Sequence, residues 1–213
     1  VALAQVLHTV AEIYRDIGLL NESVATVEQA IDVRSEVLGE EHFETADSYF
    51  LLAEVLRALQ RPKEAVEMYE LSRKSWEEHY GEASKQTIAS LVSAGVAYAE
   101  YGEFKRAEEY LLEGLDLCMI HHGEDEFITR ATMSKLAILL SDNGDFERAL
   151  KYLEQGLEIS KRVDADESEL NIWKGRVASM LMMVGRADEA VVNLKQVLAY
   201  NQKTLGNNHP ETL

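Results

Sequence analysis

The chain has 213 residues, of which 46% are hydrophobic and 28% are charged. That balance is ordinary for a folded domain and too apolar for a disordered segment. Its 38 acidic and 21 basic residues give a formal net charge of −17, which argues against nucleic-acid binding and against anionic membranes. No apolar run approaches the roughly 20 residues of a membrane-spanning helix, so we expect no membrane insertion. A single cysteine, Cys118, excludes an internal disulfide and predicts a reducing, cytoplasmic location.

An internal repeat with a period of 41 or 42 residues organises the whole chain. Its turn position is held by Gly18, Gln60, Gly102, Gly144 and Gly185. Small residues stand seven positions before the turn and five after it, at Ala11, Ala53, Gly95, Ala137 and Ala178, and at Ser23, Ala65, Ala107, Ala149 and Ala190. A further series runs through Ala30, Ser72, Gly114 and Gly156 and breaks at Val197.

Each repeat has the pattern of two helices joined by a turn. In repeat three, Leu91, Ala94, Gly95 and Tyr98 follow the i, i+3, i+4, i+7 spacing of one helix face. A turn at Gly102 separates them from a second apolar stripe. Because large side chains would push two crossing helices apart, the small residues predict the points of closest helix approach.

The boundary after Lys161-Arg162-Val163 differs from the others, because it lacks a Gly and is one residue shorter. We therefore predict a local irregularity there. The repeat alignment places Lys174 at the next core position, but the neighbouring Trp173 is the better core residue.

The spacing of small residues and turn glycines resembles the tetratricopeptide repeat. The 42-residue period and the linkers Gly39-Glu-Glu-His42 and Gly206-Asn-Asn-His-Pro-Glu-Thr212 are similar to the kinesin-light-chain variety. The resemblance implies an all-α fold, a right-handed α-solenoid of about five helix-turn-helix repeats, with first helices of about 14 residues and second helices of about 18. We expect one array over residues 1–213, with repeats at about 1–43, 44–85, 86–127, 128–168 and 169–210. Because residues 209–213 would open a sixth repeat, we expect a fragment of a longer array.

The sequence offers only weak candidates for catalytic or metal-binding residues. We therefore predict that the protein is not an enzyme and has no cofactor and no metal site. The adjacent His121 and His122 point about 100° apart on a helix and do not chelate together easily, so packing is the better interpretation of His122. Cys118 lies between Leu117 and Met119, which favours a buried thiol over a nucleophile. The acidic residues between 164 and 169 lack the spacing of a calcium loop.

The resemblance implies that the first helices line a concave groove that binds a peptide or a helix of a partner protein. Transferred by repeat position, the predicted groove residues are His8, Glu12, Arg15, Phe50, Glu54, Arg57, Val92, Val96, Ala99, Ser134, Ile138, Ser141, Ser179, Met182 and Met183. The Asn pairs typical of kinesin-light-chain grooves are absent. The Lys and Asn residues of a carboxylate clamp are absent as well.

These groove positions change from polar in repeats one and two to small and apolar in repeats three to five. The pattern favours an apolar or amphipathic partner segment, with the Met-rich stretch at 180–183 as an adaptable surface. The alternative is that neighbouring first helices bury these side chains, or that a sixth repeat covers the methionines. Two further functions stay open, namely a self-associating structural segment and a regulatory module of a larger protein.

Overall fold

A computed structural model describes residues 1–206 and residue 210. This part of the chain forms ten α-helices and no β-strand, which confirms the predicted all-α class. The helices are α1 (Ala2–Asp16), α2 (Leu20–Leu38), α3 (Phe43–Ala58), α4 (Pro62–Tyr80), α5 (Lys85–Tyr101), α6 (Phe104–His121), α7 (Phe127–Asp142), α8 (Phe146–Arg162), α9 (Glu167–Met183) and α10 (Ala187–Leu205). None of the helices described is long and apolar enough to cross a membrane.

The helices group into two compact units, Val1–His121 with α1 to α6 and His122–Leu213 with α7 to α10. Within each unit, a first helix packs on the second helix of its own repeat, and that second helix packs on the next first helix. First helices have 15–17 residues, slightly more than predicted, and second helices have 17–19. A single array over the whole chain stays a prediction. The start of a sixth repeat at 209–213 lies, apart from Pro210, outside the described residues.

The small residues mark the points where helices cross, as predicted. All ten residues that flank the five turns at minus seven and plus five are buried. A Cβ added to Gly114 would lie 2.5 Å from Cγ2 of Val92, and one added to Gly156 would lie 2.3 Å from the indole of Trp173. Trp173 is thus the core residue of its repeat, as predicted. Helix packing this close leaves no room for a larger side chain.

Most turns within a helix pair end in a glycine with positive φ, for example +81° at Gly18 and +92° at Gly102. Repeat two places Gln60 in the same left-handed region, with φ of +60°. The irregular boundary after α8 has its own non-glycine residue with positive φ, Asp164 at +50°. Both residues adopt a conformation that costs an L-amino acid roughly 1–2 kcal/mol.

Replacing Gln60 by glycine should therefore stabilise the protein by about 0.5–1 kcal/mol. Relief of the left-handed strain outweighs the extra entropy that glycine gives to the unfolded chain. Urea unfolding followed by circular dichroism measures the change. The matched control is Gly102→Ala, which should lose about 1 kcal/mol because it introduces the same strain. Equal stabilities for Gln60→Gly and the parent chain would contradict this account.

Three loops between helix pairs are closed by the same hydrogen bond. The hydroxyl of a threonine in each first helix donates to the carbonyl of the glycine that ends the preceding second helix, six residues earlier. The pairs are Thr45 with Gly39 at 2.9 Å, Thr87 with Gly81 at 2.9 Å and Thr129 with Gly123 at 2.7 Å. Each bond fixes both the length of its loop and the entry point of the next helix.

Candidate partner-binding surface

In the unit of residues 1–121, three predicted groove residues near the ends of the first helices form ion pairs, two with each other and the third with Glu100. Nη1 of Arg15 donates to Oε2 of Glu54 at 2.6 Å, from α1 to α3. Arg57 holds Glu100 of α5 in a two-point hydrogen bond, with N–O distances of 2.9 and 3.0 Å. These four side chains, with Ala58 and Gln60, line an open cleft of about 420 Å³.

Neighbouring side chains stabilise the positive charges of Arg15 and Arg57 in this cleft. For Arg57, burial opposes the charge, but the hydrogen bonds to Glu100 and the proximity of Tyr69 outweigh burial and raise the pKa. For Arg15, burial again opposes the charge, and contacts with Asp16 and Glu54 raise the pKa. Both guanidinium groups are therefore engaged before any acidic ligand arrives.

A second polar cluster connects α1, α2 and α3 in the same unit. Arg34 is only 2% exposed and donates to Oγ of Ser48 at 2.7 Å and to Oε1 of Gln5 at 2.8 Å. His8 lies 3.2 Å from the same hydroxyl. Burial and the positive charge of Arg34 lower the pKa of His8. Since His8 is thus neutral at pH 7, it is a polar group of this cluster and not a charged one.

The remaining predicted positions of this unit differ in exposure. Glu12 and Phe50 are half-buried, and Phe50 contacts the rings of Tyr69 and Trp76 at centroid distances of 5.3 and 5.2 Å. Val92 is only 3% exposed, because its side chain packs over Gly114 in α6. The prediction that Val92 lines an open groove is therefore wrong.

Val96 and Ala99 are partly exposed. The apolar surface of repeat three is accordingly smaller than the sequence pattern indicates.

In the unit of residues 122–213, a different network connects α7 to α9. Arg130 is buried, and its Nε donates to Oε1 of Glu169 at 2.8 Å. The same carboxylate accepts a hydrogen bond from Ser160 of α8 at 2.9 Å. Ser134, a predicted groove residue, is buried and accepts a hydrogen bond from Arg176, so it offers little surface to a partner.

The apolar groove residues of this unit are exposed. Ile138 is 47% exposed, Met182 53% and Met183 55%. Ser179 is also exposed, and Ser141 is partly exposed. We call these five residues the α7–α9 surface. Exposed methionine side chains are flexible and adapt to varied apolar partners.

The residues considered above as candidates for catalysis or metal binding pack or form hydrogen bonds within the fold. Cys118 is a fully buried thiol, as predicted, and His122 is half-buried. Of the acidic residues between 164 and 169, Glu169 is bound to Arg130 and Ser160. No group of three or more His, Cys, Asp or Glu arranged to hold a metal occurs among residues 1–206 and 210.

Two arginines that the sequence analysis did not single out, Arg34 and Arg130, organise these surfaces. A usable signal existed for Arg34, since it shares its repeat position with Trp76, Cys118, Ser160 and Asn201, and all five are buried. Arg130 had a signal of the same kind, because its repeat position holds Ala4, Ala46 and Ile88 in earlier repeats, and all four residues are buried.

Paired helices with small residues at every crossing define an α-helical repeat protein. Two family models, both described as tetratricopeptide repeat, match this chain, one at residues 2–78 and 51–120 and the other at 129–163 and 175–211. The chain belongs to the tetratricopeptide repeat family, whose members are in general non-enzymatic interaction scaffolds. It is accordingly a protein-interaction scaffold.

Solved structures with the same fold include relatives of kinesin light chain. Nearly identical TPR-like repeats assigned to a kinesin light chain of Podosopora anserina superpose with a TM-score of 0.82 at 24% identity, over 94% of this chain and 95% of that one. BtubC (BKLC) from P. vanneervenii gives 0.82 at 21% identity, over 98% and 83%. The apo form of RapI gives 0.76 at 16%, over 93% and 53%. No curated protein matches significantly. At these identities the likeness shows the fold alone.

Proposed function

We propose that the α7–α9 surface binds an apolar or amphipathic segment of a partner protein. The observation that supports this most directly is the exposure of Ile138, Met182 and Met183, each about half accessible on neighbouring first helices. Exposed apolar side chains that cluster on one face of a repeat protein are typical of interaction sites. An amphipathic helix or an extended apolar segment is the ligand type that such a surface accepts.

Charge on the chain argues against an acidic ligand. The net charge of −17 repels anions at long range. The basic groove residues Arg15 and Arg57 are already paired with Glu54 and Glu100. An acidic peptide would have to break these pairs to gain its own.

The apolar area gives a rough scale for the affinity. Covering about 200–300 Å² of apolar surface at ~25 cal/mol/Å² contributes roughly 5–7 kcal/mol before the cost of ordering the ligand. Micromolar binding therefore requires that most of this free energy remains after the cost of ordering the ligand is subtracted. Binding of this kind depends little on salt, because no free charge pair contributes to it.

Replacing Ile138 or Met182 by aspartate should weaken binding by at least about ten-fold, because the ligand then buries an unpaired charge. Peptide arrays at two ionic strengths, followed by calorimetry on the best apolar peptide, measure the effect. Val96→Asp tests separately whether the predicted groove position of repeat three, in the unit of residues 1–121, takes part in binding.

The matched control is Val37→Asp, which changes a side chain of similar exposure (58%) on the second helix α2. It should leave binding unchanged. If acidic peptides containing Trp win the array, or if binding survives Ile138→Asp and Met182→Asp, the apolar surface is not the site. The mode implied by the kinesin-light-chain resemblance would then be the better account.

A further inference from the structure

Within each unit, two consecutive second helices pack on the first helix that lies between them, and this first helix forms the floor of a groove. In the groove between α4 and α6, the ring of Tyr110 in α6 packs on that of Tyr98 in α5, with 5.1 Å between the ring centroids. The guanidinium carbon of Arg106 lies 5.4 Å from the centroid of the same Tyr98 ring. An aromatic and a basic side chain of α6 thus cover this groove, and Tyr98 is only 9% exposed.

The hydroxyl of Tyr110 lies close to the carboxylate of Glu70 on α4. Burial raises the pKa of this hydroxyl, and the neighbouring carboxylate raises it further. Tyr110 is therefore a neutral phenol that can donate a hydrogen bond across the groove.

The groove between α8 and α10 is not covered in this way. Glu154 of α8 stands at the repeat position of Glu70, and the much smaller Asn193 of α10 stands at the position of Tyr110. An open cleft of about 380 Å³ lies here, a volume within the ~300–1,000 Å³ typical of ligand pockets. Its floor consists of buried apolar side chains, namely Leu157, Val177 and Leu181. We call this space, which is lined by residues between 154 and 193, the α8–α10 cleft.

We propose that the α8–α10 cleft binds an aromatic side chain of a partner protein, together with a neighbouring basic side chain of the same partner. The aromatic ring takes the place that Tyr110 has between α4 and α6. It packs on Leu181, which holds the repeat position of Tyr98, and a tyrosine hydroxyl in this place reaches Glu154. The site shares no residue with the α7–α9 surface and does not depend on that proposal.

Charge at the rim of the cleft favours the basic neighbour. The charged groups are three carboxylates and two cations, Glu154, Glu158, Glu189, Lys161 and Arg186. Arg186 binds Glu189 at 2.7 Å, and Lys161 lies 3.6 Å from Glu158. Glu154 has only the longer contact of 3.6 Å with Arg186. One carboxylate thus remains weakly paired on a chain of net charge −17, which attracts a cation and repels an anion.

A short peptide tests the proposal on the whole chain of residues 1–213. The probe is acetyl-Arg-Ala-Ala-Ala-Tyr-amide, which has the spacing of Arg106 and Tyr110. The measurement is NMR of protein labelled at the Leu and Val methyl groups. The probe should shift the signals of Leu157, Val177 and Leu181 in a saturable way. Peptides with Ala in place of Tyr, or Glu in place of Arg, should bind at least about ten-fold more weakly.

Filling the cleft from within gives the decisive result. Asn193→Tyr places the residue type of Tyr110 in α10, and Asn193→Met places that of Met68, which α4 has at the same repeat position. Each variant should weaken binding of the probe at least about ten-fold, because its own side chain occupies the site. The matched control is Gln202→Tyr, which adds a tyrosine at an exposed position of the same helix outside the cleft and should bind like the parent chain. Circular dichroism checks that the variants keep their helices.

Four outcomes overturn the proposal. The first is the absence of methyl shifts up to ~5 mM probe, a concentration that would detect even millimolar affinity. The second is binding that survives both filling variants, and the third is tighter binding of the Glu peptide than of the Arg peptide. The fourth is loss of probe binding in Ile138→Asp, which would place the probe on the α7–α9 surface. If Ile138→Asp binds the probe normally, the two proposals can succeed or fail separately.

Discussion

Replacing Ala107 by arginine is expected to unfold more than one helix pair. Ala107 is fully buried in α6 where that helix crosses α5. The crossing is close, since a Cβ added to Gly95 would lie 3.3 Å from the carbonyl oxygen of Ala107 and 3.1 Å from Leu111. Overpacking costs about 1–3 kcal/mol, and a buried unpaired charge adds several more. Because each repeat is stabilised by its neighbours, the loss should reach the adjacent pair α3–α4.

Hydrogen exchange read out by mass spectrometry shows which helices lose protection, and thermal unfolding gives the total loss. The matched control is Glu109→Arg, which places the same side chain on the exposed face of the same helix. That control should change stability by less than about 0.5 kcal/mol. An unchanged melting curve for Ala107→Arg would show that α5 and α6 do not cross at this point. Ala149→Arg makes the equivalent test in α8, where Ala149 is also fully buried.

Arg130→Met should destabilise the unit of residues 122–213 by about 2–4 kcal/mol. The substitution keeps the apolar stem but leaves the carboxylate of Glu169 in a partly buried place without its main partner. Urea unfolding measures the loss. The control is Arg148→Met, which removes an exposed arginine paired with Asp145 on the same unit and should cost under about 1 kcal/mol.

The acid dependence of stability checks the same contact independently. The hydrogen bond from Arg130, with smaller contributions from Ser160 and Trp173, lowers the pKa of Glu169 against the opposing effect of burial. The stabilisation is therefore fully present above the ordinary glutamate value of 4.5 and is lost as the pH falls through the lowered pKa. Arg130→Met should flatten this part of the curve. If the variant lost stability at low pH in the same way as the parent chain, Glu169 would not be the cause of that loss.

Much of the fold can be predicted from the sequence, because helix crossings require small residues at a regular spacing that a single repeat sequence displays. The small residues at Ala11, Ala53, Ala107 and Ala149 predict buried crossings, and all four are buried. The irregular boundary after α8 was also predictable from its missing glycine, and Asp164 has positive φ there. These features depend on spacing alone, which a repeat displays several times over.

The predicted binding surface is less accurate, because exposure depends on which neighbour covers a side chain. Val92 and Ser134 share their repeat position with the partly exposed Phe50, yet both are buried. Val92 is covered because Gly114 lets α6 approach. Ser134 is occupied by Arg176. Neither contact can be read from the pattern of one helix.

The threonine-to-glycine hydrogen bonds have a consequence for protein engineering. A bond that spans six residues in each of three loops leaves no slack for extra residues at Gly39–Thr45, Gly81–Thr87 or Gly123–Thr129. The loop between α8 and α9 has neither the glycine nor the threonine, and Asp164 is exposed within it. A tag, a fluorophore or an inserted domain therefore belongs at residues 164–165, where a longer backbone breaks none of these threonine-to-glycine hydrogen bonds.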